Sequence, residues 1–197
     1  MKLMKFLPVF FLLLAPAFAA DVKPPTNPEL RDELLAMAAN DQELRSAARS
    51  GTIDRNKVVE ADAVHTARMK EIVAEHGWPA EALVGEDGAN AAWLLVQHAD
   101  ADPGFQERAL MLMKPLLESG EINRRDYAYL WDRTHEPQRY GTQLRCVDGR
   151  LQPREIESPE SVDVRRKDMG MLPLAEYLEE ARALLGEAGD DVCADGG

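Results

Sequence analysis

The stretch Gln138-Arg139-Tyr140-Gly141-Thr142-Gln143 gathers two carboxamides, a guanidinium, a phenol and a hydroxyl around one glycine. A guanidinium offers a rigid fork to a carboxylate or phosphate, and a carboxamide both donates and accepts. Gly141 permits a positive φ or the close approach of a ligand to the backbone. With Asp132-Arg133 just upstream, these groups are suited to clamp an anionic or amide-bearing ligand. They are equally suited to a buried network that specifies the fold. In that reading Arg133 or Arg139 pairs with Asp132 and pins the segment to the helices.

His98 is the histidine best placed for chemistry. It lies in Val96-Gln97-His98-Ala99-Asp100, near the end of an almost wholly apolar segment, with Gln106 a short turn away. An imidazole titrates near neutrality and can act as a general base. Asp100 or Asp132 would then orient its ring. The candidate catalytic set is His98, Asp132 and Tyr140, and the candidate ligand contacts are Gln97, Gln106, Arg133, Gln138, Arg139, Gln143 and Arg165. The plain alternative is a core histidine bonded to a backbone carbonyl, with Asp100 and Asp102 serving as helix caps.

Other chemistries lack their motifs. His65, His76 and His135 make no ligand spacing with one another, and there is no His-Glu-x-x-His, Cys-x-x-Cys or calcium loop. A nucleophile elbow, a phosphate-binding loop and a dinucleotide fingerprint are absent too. Neither a metal nor a cofactor is expected. Arg165-Arg166-Lys167, the one basic run, reads as a solvated helix face from which one arginine can turn toward the hairpin. Trp78, Trp93 and Trp131 read as core aromatics.

The elements that must position these residues are mostly helices. Asn27-Pro28-Glu29 is a capped helix start, and Leu30, Leu34, Met37 and Ala38 keep helical spacing. The pattern weakens near Asn40, resumes at Leu44 and ends before Gly51. A second helix opens at Asp54 and stops at Gly77. A short helical segment over 79–83 precedes a break at Gly85 to Gly88. The apolar stretch 89–99 then predicts a central, buried helix. Asp102-Pro103 caps the next, which Pro115 should kink or split. Asn123 to Thr134 is another. Asp148-Gly149 predicts a hairpin turn between 140–146 and 151–156. Helices follow from Ser158-Pro159 and from Pro173. The expected fold is mainly α, a single helical domain over 28–186 with one small β-hairpin near residues 140–156. An acidic tail, 187–197, is expected to be disordered.

The N-terminus reads as an address. Lys2 and Lys5 precede an apolar run, and Ala17-Phe18-Ala19 fits a signal peptidase site. Residues 1–19 are therefore expected to be removed, leaving an extended leader over 20–27 and an exported protein, periplasmic or secreted, without stable membrane insertion. The formal charge is −12, and −14 once Lys2 and Lys5 are gone. Such a surface repels phosphate backbones and argues against nucleic acid as a partner. Cys146 and Cys193 can pair in an oxidising compartment. The alternative is one buried thiol and one loose one.

Ala91 to Gln106, Tyr127 to Arg133 and Gln138 to Gln143, with Gly77-Trp78-Pro79 before them, together resemble the motifs of an uncharacterised bacterial family. Val162-Asp163 and Arg165-Arg166 fit the same pattern, so the resemblance spans about 77–177. It implies no activity, substrate or catalytic residue. The expected function is binding of a small polar or anionic ligand, or of a protein partner, between the 89–106 helices and the 138–143 loop. A hydrolase or transferase using His98 as base is the second expectation, and a purely structural or interaction protein the third.

Overall fold

The computed structural model describes residues 24–148, 150–187 and 193. The expected signal peptide and most of the tail lie outside them. Among the described residues seven α-helices and one hairpin make up the fold: α1 Pro28–Arg49, α2 Asn56–His76, α3 Glu81–Gln97, α4 Pro103–Ser119, α5 Arg124–Thr134, β1 Leu144–Val147, β2 Arg150–Pro153, α6 Val162–Asp168 and α7 Leu174–Glu187. A short 3₁₀ turn, Pro159–Ser161, leads into α6. None of these helices is long and apolar enough to cross a membrane.

The helix starts follow from capping chemistry. The Asn27 side chain accepts from the Leu30 amide at 3.1 Å and Asp102 from the Phe105 amide at 2.9 Å, each followed by proline in the first turn. Two departures from the sequence expectation stand out. Within α3 only Gly85 leaves helical geometry, at φ 74°, whereas Gly88 is helical and packed so tightly that a Cβ would lie 2.8 Å from Val84 Cβ. Of the kink or split expected at Pro115, the split does not occur, since α4 runs on through it. The carbonyl deprived of a donor belongs to Met111, which is exposed, so water can serve it.

α3 is the axis of the core. It packs against α1, α2, α4 and α5, and Val84, Ala92 and Val96 have no solvent exposure. Leu34 of α1, Met69 and Ile72 of α2, Phe105 of α4 and Leu130 of α5 close around it. Each such side chain contributes about 2 kcal/mol on removal from water. Trp78 is buried, and Trp93 and Trp131 pack on the same cluster. The antiparallel hairpin pairs Val147 with Arg150 across a two-residue turn. It is shorter than its sequence suggests, because residues 140–143 are a loop rather than strand.

Cys146 of β1 is bonded to Cys193. That disulfide ties Cys193 to the hairpin.

Candidate functional site

The Gln138–Gln143 segment wraps around the buried carboxylate of Asp132, near the end of α5. Asp132 accepts from the amides of Arg139 (2.7 Å), Tyr140 (3.1 Å) and Thr142 (2.9 Å), and from Thr142 Oγ1 (3.0 Å). A carboxylate has roughly four lone-pair positions, so these donors fill it. Several N–H dipoles converging on it compensate the carboxyl group for the water it loses on burial. Gln138, also buried, donates to the carbonyls of Gln143 (3.1 Å) and Arg154 (3.0 Å) and accepts from the Gln143 amide (2.9 Å). Gly141 takes φ 71°, and a Cβ there would meet Leu174 Cδ1 at 2.9 Å and Ile156 Cδ1 at 3.0 Å.

Two arginines of α6 brace the loop from outside. Arg166 is 1% exposed and donates to the Tyr140 carbonyl at 2.5 Å and the Leu172 carbonyl at 2.6 Å. Its guanidinium lies 4.8 Å from the Tyr177 ring centre, while the Tyr177 hydroxyl donates to the Thr142 carbonyl at 2.9 Å. Arg165 reaches the carbonyls of Arg139 (2.8 Å) and Glu157 (2.5 Å). Burial, opposed by Arg139, pushes the Tyr140 phenol above its ordinary pKa. Arg139 itself rests over Trp131 and pairs with Glu157 at 3.2 Å. Most of the loop's hydrogen-bonding capacity is thus directed inward.

His98 belongs to a different set of contacts. Its Nδ1 stands 3.0 Å from Oδ2 and 3.1 Å from Oδ1 of Asp41, a carboxylate with 1% side-chain exposure on α1. Arg45, one turn further along α1, donates from Nε to Asp41 at 3.0 Å and from Nη2 to Asp62 of α2 at 2.5 Å. Arg45 Nε also comes within 3.1 Å of His98 Nδ1. An Nδ1–H would donate to Asp41, whereas an unprotonated Nδ1 would accept from Arg45 Nε. Burial works against the Asp41 charge, but the hydrogen bond and charge of His98, the Gln42 amide and Arg45 outweigh it and bring the carboxyl to about 2.

Neither Asp100 nor Asp132 orients the ring. Asp100 takes a two-pronged contact from Arg133, and Arg133 Nη1 also reaches Gln143 Oε1 at 3.4 Å. The last turn of α3 is consequently a junction. His98 faces α1, and two residues later Asp100 joins α5 and the loop. Gln106 lies behind that turn, fully buried, donating from α4 to the carbonyls of Val96 (3.1 Å) and Gln97 (3.3 Å). Gln97 is buried, and its Oε1 finds no partner among the described residues.

Asp41, Arg45 and Asp62 were missed by sequence reasoning, although a signal existed. Leu30, Leu34 and Met37 set a stripe on α1, and Asp41 occupies the next place on it, where an apolar residue is due. Among the described residues no group of three or more histidine, cysteine, aspartate or glutamate side chains forms a metal site.

A family of unknown function, DUF6624, matches residues 28–188. The chain belongs to that family. The DUF6624 match begins at the first residue of α1, so the helices that supply Asp41, Arg45 and Asp62 fall within it, well outside the 77–177 span of the motif resemblance. No curated protein and no solved structure matches the chain.

Proposed function

We propose that this DUF6624 domain is exported and holds a small polar ligand at the last turn of α3, where His98 exchanges a proton with it. The observation that carries this reading is the contact between a fully buried aspartate and a histidine whose side chain keeps 20% of its surface in solvent. A buried carboxylate on Nδ1 fixes the tautomer, orients the ring and stabilises the imidazolium that forms when Nε2 takes a proton. Arg133 and Gln143, joined to the same turn through Asp100, supply hydrogen-bonding groups nearby. The Asp132-centred loop acts as the support of this site rather than its reacting part. Export rests on the signal-like N-terminus and agrees with the Cys146–Cys193 disulfide.

Diethyl pyrocarbonate, which acylates an unprotonated imidazole nitrogen, tests the central claim. His98 should be modified in the native protein well before buried His65, and long-range ¹H–¹⁵N spectra should show a protonated Nδ1. Replacing Asp41 with Asn should mix the tautomers. If His98 reacts only after unfolding, its Nε2 is closed to ligands and the reading fails. A thermal-shift screen of small polar metabolites against wild type and His98→Gln then identifies the ligand class.

A further inference from the structure

Beside this centre, α1 and α2 flank an open groove of about 330 Å³ at the corner where the chain turns between them. Its charged lining is Arg45, Arg49, Arg55 and Asp62, over a floor that includes Ala48 and Val58. Arg45 is committed to Asp41 and Asp62. Among the described residues, no carboxylate pairs with Arg49 or Arg55. Asp54, the acid next to Arg55, turns its oxygen to the Asn56 amide at 2.8 Å. In a chain with a formal charge of −12, acidic groups outnumber basic ones, and exposed arginines ordinarily find partners. Arg49 and Arg55 thus stand at one groove without a carboxylate partner among the described residues, beside the paired Arg45 and Asp62.

We infer that this corner binds the oxyanion group of a small ligand, a phosphate or a carboxylate, between Arg49 and Arg55. Guanidinium forks bind such groups through paired charge-assisted hydrogen bonds. The apolar floor would carry the ligand's uncharged part, and Arg45 is the common wall between the groove and Asp41. The inference goes beyond the proton-exchange reading and does not require it. It is read at the backbone of the corner, whereas the other is read at the His98 ring.

Backbone amide shifts of Ala48 and Val58 in the full chain would be followed during titration with sodium phosphate and with sodium acetate, against sodium chloride at matched ionic strength. Saturable shifts with phosphate or acetate but not chloride are expected, and the tighter of the two identifies the group. Arg49→Gln and Arg55→Gln should each weaken binding roughly tenfold, the scale of one charge-assisted contact, and the double variant should abolish saturation. Both side chains are exposed, so the melting temperature without ligand should not change. Equal shifts with chloride, or saturation that survives in the double variant, would overturn the inference.

Discussion

Asp41, which is buried, and Asp126, which is partly buried, are two carboxyls that the fold drives in opposite directions, and the difference lies in their neighbours. Asp41 has His98, Arg45 and Gln42 within hydrogen-bonding distance and is held at about 2 despite its burial. Its folded-state value lies below its unfolded one, so its stabilisation is complete above about pH 4 and is lost as pH falls toward 2. Asp126, at the start of α5, is pushed up to about 7 by burial, with Glu81 adding to the rise and Arg125 opposing it. Here the sign reverses. The folded state retains a proton that the unfolded chain has released, so stability declines as pH climbs from about 4 to 7. Asp126→Asn should therefore raise the melting temperature by a few degrees at pH 8 and change it little at pH 4. Differential scanning calorimetry at the two pH values checks this, and an equal effect at both would refute it. Neither carboxyl was recognised from the sequence. His98 was, because an imidazole inside an apolar run is conspicuous. Its partner was not, because Asp41 lies 57 residues earlier and only the packing of α1 on α3 joins them.

At the scale of elements, capping and periodicity predicted all the long helices, since these depend on residues a few positions apart. What local reading mistook were places where tertiary contacts decide. Gly88 reads as a breaker but is a small residue required for packing against Val84. Residues 140–143 read as strand but curl around Asp132, because three amides find a better acceptor there than a partner strand provides. The basic run reads as a solvated face from which one arginine can turn inward, and Arg166 is the one that two carbonyls and an aromatic face take inside. The loop's glycine is consequently under two constraints at once. Gly141→Ala would carry about 1–2 kcal/mol of backbone strain from its positive φ, plus the displacement of Leu174 and Ile156. We expect a loss of about 2–3 kcal/mol in urea unfolding, with the Asp41–His98 contact retained. A loss under about 0.5 kcal/mol, the size of an ordinary surface change, would show that the loop is not held as described.

For the molecule as a whole, one disulfide and a strongly acidic surface set the conditions of stability. The bond between Cys146 and Cys193 closes a loop with a sequence separation of 47. On the chain-entropy estimate this corresponds to about 4 kcal/mol. Reduction, or Cys193→Ser, should thus lower the melting temperature by several degrees or more while leaving helical circular dichroism intact. An unchanged melting temperature would mean that the bridge constrains only an end that frays in any case. Pairing was legible as one option from the count of two cysteines and the signal-like leader. Its geometry was not, since the sequence around Cys193 offers nothing to pack against. The order of residues along the chain carries one more consequence. Asp41, Arg45 and Asp62, the ion-pair network on His98, lie with it in the first hundred residues, whereas the Asp132 loop draws its braces from Arg165, Arg166 and Tyr177. A chain emerging N-terminus first therefore presents the Asp41–His98 pair before the residues that brace the Asp132 loop.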